Sequence, residues 1–205
     1  MRVSEDRFSR DLRRIQLAKR LIFHEVRTRW ITLWTGLSGH TVRNLYSSYI
    51  KDQSSPPARR RGPPPTNPLV FLRYVHLRDE ASTLAGLAYQ FGLVPEEPVS
   101  NARRVLARLE VGEKLCEAYE LFQHLLPSAT FGMEQYMILL FALAERTELT
   151  LDFCEGCKGV LLVDPLGRSR RMCSRCRNER SLLIESEPSE GSLPPPNESF
   201  QRSLF

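Results

Sequence analysis

A chain of 205 residues with 41% hydrophobic and 26% charged residues is long enough for one or two packed domains. It has no apolar run near the ~18 residues that a bilayer-spanning helix needs, and its opening stretch MRVSEDRFSRDLRRIQLAKRLI lacks the apolar core and small-residue cleavage site of a secretory signal. A cytoplasmic chain with reduced thiols is the expectation.

The net charge of +5 is unevenly spread. Residues 1–61 carry 14 Lys/Arg against 5 Asp/Glu, a balance of +9; residues 78–152 carry 6 against 12, a balance of −6; residues 153–180 carry 7 against 3, a balance of +4. Two basic ends could grip a polyanion while the acidic middle faces another partner.

In chain order, residues 5–27 read as a helix. Phe8, Leu12, Ile15, Ile22 and Val26 recur at spacings of 3, 4 and 7, and Leu17 and Leu21 widen the stripe. Arg10, Arg13, Arg14, Lys19 and Arg20 lie largely off that stripe; a solvated charged face is the plain alternative to a binding role. Residues 28–50, TRWITLWTGLSGHTVRNLYSSYI, form two helices around a break. Gly36 can take positive φ after the first, and Ser38 can cap the second. Residues 53–68, QSSPPARRRGPPPTNP, hold six prolines and cannot continue a helix. They form a linker or arm with Arg59, Arg60 and Arg61 at its charged tip.

Helical periodicity returns over residues 75–91, 98–111, 113–126 and 132–147, with Pro98 opening the second of these. The last carries Met137, Leu140, Phe141 and Leu143 and reads as a core helix, while Cys116 reads as a lone buried thiol. Beyond residue 149 the pattern changes to short β-like runs at 149–153 and 160–163, with a Pro/Gly turn at 165–167. The Ser/Glu/Pro-rich tail from about residue 181 is expected to be disordered.

The run CEGCKGVLLVDPLGRSRRMCSRC has the spacing C-x2-C-x15-C-x2-C. Fifteen residues allow a strand, a turn and a strand to bring Cys154, Cys157, Cys173 and Cys176 to one point. Four thiolates satisfy Zn²⁺ tetrahedrally and leave no open position, which suits a structural ion. So short a segment buries little apolar area, and metal binding must supply its folding energy, about 10–16 kcal/mol in small zinc modules. Two disulfides, a redox pair and an iron site are the competing readings; a redox CxxC opens a helix in a βαβ unit, and neither pair reads that way here. Arg168, Arg170, Arg171, Arg175, Arg177 and Arg180 would then project from a metal-stiffened loop, where their forked guanidiniums match phosphate oxygens.

The 28–50 unit has the outline of a DNA-binding helix-turn-helix, with Gly36, Leu37 and Ser38 in the turn and Val42 and Leu45 locking the second helix onto the first. That leaves Gly39, His40, Thr41, Arg43, Asn44, Ser47 and Ser48 more exposed; Arg reads guanine and Asn reads adenine. Thr32 stands four before Gly36, where a small residue is usual, and a helical hairpin unrelated to DNA is the alternative. The charge balance of the segment favours DNA.

Taken together, RRIQLAKRL, TGLSGHTVRNLY, the SSPP…PPP linker, AYQFGLV at 88–94 and CEGC…CSRC resemble the FlhC family, the C subunit of the bacterial flagellar master transcriptional activator. The resemblance spans roughly residues 10–180. It implies a mainly helical protein that binds one zinc ion through Cys154, Cys157, Cys173 and Cys176. It also implies a hetero-oligomer with a D subunit, activation of flagellar promoters through DNA and RNA polymerase, and no enzymatic activity.

The reading of residues and the resemblance converge on a mainly α protein with five regions. Residues 1–52 form a basic helical region with the helix-turn-helix-like unit, and 53–68 a Pro/Arg-rich linker. Residues 69–149 form a helical core and partner-binding region, 150–180 a four-cysteine zinc-ribbon-like hairpin, and 181–205 a tail. The candidate DNA contacts are His40, Thr41, Arg43, Asn44, Arg59, Arg60, Arg61, Arg168, Arg170, Arg171, Arg175 and Arg177. A zinc-ribbon adaptor or RNA-binding module without DNA sequence specificity is the alternative. No Ser/His/Asp grouping, phosphate-binding glycine loop or carboxylate pair stands out, so enzyme classes have little support.

Overall fold

The computed structural model describes residues 2–58, 62, 66–167 and 171–185. Eight α-helices and one two-stranded hairpin make up the regular elements of these residues, so the architecture is mainly helical with a small cysteine-bearing hairpin. The helices are α1 (Arg2–Phe23), α2 (Thr28–Thr35), α3 (Gly39–Tyr49), α4 (Val75–Gln90), α5 (Ala102–Leu106), α6 (Leu109–Leu125), α7 (Met133–Glu145) and α8 (Ser174–Glu185); β1 (Thr150–Phe153) and β2 (Val160–Val163) pair antiparallel. None of the described helices is long and apolar enough to cross a membrane.

The apolar density of α7 sets the architecture. Met137, Leu140, Phe141 and Leu143 are buried, and so are most of their neighbours on every face. A helix apolar all round must be surrounded. Here α4 and α5 pack against it, and Trp30 and Trp34 of α2 stack on Phe141 with ring centroids 5.8 and 5.9 Å apart. Helix α6 crosses α1, α2 and α4. Gly112 of α6 faces both α1 and α2: a Cβ there would lie 2.7 Å from Leu17 Cδ2 and 3.3 Å from Trp34 Cε3, so a larger residue would have to displace the buried Leu17 side chain. The buried side chains form one cluster running from Leu17 to Leu162, shared by α1–α3, α4–α7 and the hairpin.

The expected helix over 98–111 is broken. Asn101 adopts φ 55°, and Ala107 (ψ 68°) and extended Arg108 interrupt the chain again, leaving the short α5 before α6 begins at Leu109. Asn tolerates the left-handed region, and the Glu145 carboxylate secures the break by accepting from the Ala102 N–H at 2.8 Å. At the end of the linker, Pro68–Leu72 forms a 3-10 turn that buries Phe71 against Phe131, centroids 4.9 Å apart. At the far end, α8 carries the chain as helix to Glu185, past the expected start of the tail; residues 186–205 lie outside the described residues.

The apolar stripe of α1 is only half used. Leu17, Leu21 and Ile22 are buried, but Phe8 is 70% and Leu12 45% exposed. The first turns of α1 run ahead of α6, which starts alongside Arg13 through the Arg13–Glu110 and Arg13–Glu113 pairs.

Candidate metal centre and nucleic-acid interface

The four cysteines meet where β1, β2 and α8 converge. Cys154 follows β1 and begins a tight knuckle: the Cys154 N–H donates to Gly159 O at 2.8 Å, and the Lys158 N–H returns to Cys154 O at 2.9 Å with Lys158 at φ 59°. Strand β2 then leads away to the 165–167 turn, and Glu155 N–H bonds Arg171 O at 2.8 Å to bring the chain back. Cys173 precedes α8 and Cys176 lies in its first turn. Of the expected strand–turn–strand between the two pairs, β2 and the turn are present among the described residues, but the partner of β2 is β1, upstream of the first pair, and α8 begins only after Cys173. The second CxxC does open a helix, contrary to the reading from sequence, although no βαβ unit surrounds it among the described residues.

All four Sγ atoms lie within 4.8 Å of one another, and Cys157 and Cys173 are 3.8 Å apart. Metal–sulfur bonds of ~2.3 Å at tetrahedral corners require S–S edges of about 3.8 Å, so the cluster has the dimensions to hold one metal ion. The backbone is arranged for sulfur anions. Cys173 N–H donates to Cys154 Sγ at 3.3 Å and Cys176 N–H to Cys173 Sγ at 3.4 Å. Backbone N–H groups of Cys157 and Cys173 pull the Cys154 thiol down to about 6. Hydrogen bonding to the Cys173 and Cys157 sulfurs pushes Cys176 up to about 12. The protein's own dipoles thus favour one thiolate, and ionising the whole set needs a cation. The knuckle is tight at Gly156, where a Cβ would stand 3.1 Å from Cys176 Sγ, so a side chain there would press on one of the four thiols.

This module is seated on α4. Ser174 Oγ donates to Asp79 Oδ2 at 2.7 Å, Leu162 N–H donates to Ser82 Oγ at 3.2 Å, and Val160 packs where α4 narrows at Gly86. Tyr89 meets Phe153 edge-on at 6.3 Å. Cys116 is remote from the cluster: it is wholly buried in α6, and burial pushes its thiol up to about 12.

At the other end, the break between α2 and α3 follows local chemistry. Gly36 takes φ 69° and its N–H bonds Thr32 O at 3.0 Å. Ser38 caps α3 by accepting the Thr41 N–H at 3.1 Å. Val42 and Leu45 are buried, while His40, Arg43, Asn44, Ser47 and Ser48 are exposed and Gly39 is half-buried. Thr41 is also half-buried and its hydroxyl lies 2.9 Å from Ser38 Oγ, so it belongs to the cap rather than to the open face. His40 Nε2 and Asn44 Nδ2 are 3.0 Å apart, one turn along the helix.

Of the remaining candidate contacts, Arg171 lies 3.4 Å from Glu155, Arg175 Nε donates to Glu179 Oε1 at 2.9 Å, and Arg177 reaches the Met172 carbonyl at 3.4 Å. All three are exposed. Arg59, Arg60, Arg61, Arg168 and Arg170 lie outside the described residues. Helix α3 packs on α1 and α2, whereas the hairpin packs on α4 and α7. Among the described residues, α3 makes no extensive contact with β1, β2 or α8.

The cations of α1 and of the turn after it are partly paired within the protein, which sequence reasoning missed. Arg13 forks onto Glu113, Arg20 and His24 share Glu120, and Arg27 pairs with buried Glu134. No protein-family model matches the chain, and no curated protein does.

Proposed function

We propose that the chain is a zinc-containing, DNA-binding subunit of a transcriptional activator that works with a D-type partner at flagellar promoters, in the cytoplasm and without enzymatic activity of its own. The observation that carries the reading is the α2–α3 unit: a left-handed glycine turn, a serine cap, and an outward face on which Arg43 and Asn44 are exposed with no acidic partner among the described residues. Arg43 is suited to guanine and Asn44 to adenine in a major groove. The quoted resemblance to the FlhC family supports the promoter and the partner. The open stripe of Phe8 and Leu12 at the free end of α1 supports a protein contact there.

Zinc is the ion proposed for the four thiolates, since a closed four-cysteine set with this spacing suits a d¹⁰ cation that needs no fifth ligand. Its role is to fold the hairpin onto α4.

The test is co-purification with a D subunit, metal analysis, and footprinting on a flagellar promoter. Protection of a defined promoter segment is expected, and R43Q/N44A should remove promoter preference while leaving the fold intact. Equal affinity of the zinc-loaded complex for promoter and shuffled DNA would reject the reading. The adaptor alternative draws on the hairpin surface, where Tyr89, Phe153 and Leu166 are exposed beside the metal knuckle; it predicts that R43Q/N44A changes nothing.

A further inference from the structure

The ion pairs sort the arginines of this chain into two classes. Arg13, Arg20 and Arg27 are occupied by carboxylates of α6 and α7. Arg29, Arg43, Arg103 and Arg104 are exposed, and none of them forms an ion pair with a described acidic residue. Three contacts, with chain adjacency at Arg29 and Arg104, link the segments that carry these cations. A Cβ built at Gly39, the first residue of α3, would sit 3.5 Å from Arg43 Nη1 and 3.6 Å from Thr28 Cγ2 at the start of α2. Arg29 is the next residue of α2. The guanidinium of Arg103 then lies 5.4 Å over the ring of Trp30, and Arg104 follows it on α5. A basic strip therefore runs from the reading face of α3, across the start of α2, onto α5.

From this arrangement we infer that α5 supplies phosphate contacts to the duplex held by α3: Arg103 and Arg104, with Arg29, grip the DNA backbone, and the paired arginines of α1 do not. The inference rests on the DNA-binding reading above. In a helix-turn-helix complex the first helix of the pair crosses the sugar–phosphate backbone, which places Arg29 of α2 at phosphate height; Arg103 stands over Trp30, the next residue of that helix. Planar guanidiniums match phosphate oxygens in pairs. Arg103 is held over an indole, so less side-chain freedom is lost on contact. The strip also explains a run that the charge balance hides: ARRVLAR, at 102–108, is basic inside a segment whose net balance is acidic.

The experiment is the salt dependence of binding by the full-length, zinc-loaded chain with its D-type partner, on a promoter duplex and on a shuffled duplex of equal length. Each phosphate contact contributes about 0.9 to the slope of log K against log salt. R103Q/R104Q should therefore lower the slope by about 1.8 on both duplexes and leave the preference between them unchanged. R103K/R104K should keep the slope, and R13Q/R20Q should lower the melting temperature without changing it. An unchanged slope in R103Q/R104Q would overturn the inference while the DNA reading stands. So would an equal fall in R73Q/K114Q, which removes the same charge from exposed positions outside the strip and the cysteine module. No binding of either duplex by the wild-type complex would overturn both.

Discussion

Arg20 and Glu120 meet as a two-pronged pair, Nε to Oε1 at 3.0 Å and Nη2 to Oε2 at 2.8 Å, and His24 Nε2 adds a third contact to Oε1 at 3.0 Å. A basic helix and an acidic helix that look in sequence like two separate surfaces thus neutralise one another. Partial burial alone would raise the Glu120 carboxyl; the hydrogen bonds from Arg20 and His24 outweigh it and hold the group below its ordinary value. A carboxyl whose folded value is depressed stabilises the fold fully above the unfolded carboxylate value, ~4.3, and that contribution disappears as pH falls through the folded value. Glu120→Gln should cost less than about 1 kcal/mol at pH 7, since the pair is partly solvated. It should also flatten the acid limb of stability, read from urea midpoints between neutral pH and pH 3. An acid limb identical to wild type would remove Glu120 from the account.

The metal cluster and Cys116 make opposite predictions for thiol chemistry. With a metal ion bound, all five cysteines should resist alkylation in the native protein, four through ligation and Cys116 through burial. A chelator should expose Cys154, Cys157, Cys173 and Cys176 and leave Cys116 unreactive until denaturant is added, because burial both blocks access and disfavours its thiolate. Helical circular dichroism should lose no more than the contribution of α8 on metal removal, since the core of α1–α7 does not pass through the cluster. The hairpin should come off α4, seen as loss of protection at Leu162 and of the Tyr89–Phe153 contact. Mass spectrometry after timed alkylation counts the modified thiols; five modified after chelation alone would contradict this packing.

What sequence revealed here was governed by local chemistry. The α2–α3 break was legible because Gly36 and Ser38 act on their own neighbours. The cysteine cluster was legible because its spacing encodes its geometry. What escaped depends on contacts between residues far apart in sequence. Arg13 and Arg20 meet their carboxylates 100 residues away, so the same arginines that suggested a nucleic-acid face turn out to be structural. The break at Asn101 is secured by Glu145, far along the chain, while the 98–111 pattern still looks helical. Helix α8 was hidden because its opening run SRCRNER has no apolar stripe; the metal ligand in its first turn and the Ser174–Asp79 bond anchor it instead. Phe8 and Leu12 continue a true amphipathic stripe, but periodicity cannot show where the neighbouring helix ends.

The cap of α3 tests whether the proposed reading helix depends on its turn. Ser38 satisfies the Thr41 N–H, one of the donors left open at any helix start. Ser38→Ala should cost about 1 kcal/mol, and Ser38→Asp should restore it, since a carboxylate accepts the same N–H and favours the positive end of the helix dipole. Amide exchange over residues 39–44 reports the effect locally: faster exchange in Ser38→Ala and wild-type rates in Ser38→Asp are expected. Unchanged exchange in Ser38→Ala would mean that packing of Val42 and Leu45 alone fixes the helix.

Glu134 is buried, only 4% exposed, at the start of α7, and it holds Arg27 in two ways. One carboxylate oxygen accepts the Arg27 backbone N–H at 2.6 Å, and the other meets its guanidinium. The first contact orients the chain as it enters α2; the second offsets a charge whose side chain is largely out of water. Glu134→Gln keeps an acceptor for the backbone N–H but removes the carboxylate charge that faces the guanidinium, and removing one partner of a buried pair typically costs about 3–5 kcal/mol. Arg27→Met removes the guanidinium as well. The double variant R27M/E134Q should recover most of the loss, since an apolar chain of similar length replaces a desolvated ion. Chemical unfolding of the two single variants and the double variant separates the terms. If R27M/E134Q is as unstable as Glu134→Gln, the stabilising contact is the backbone hydrogen bond, whose amide acceptor must then be a poor substitute for the carboxylate.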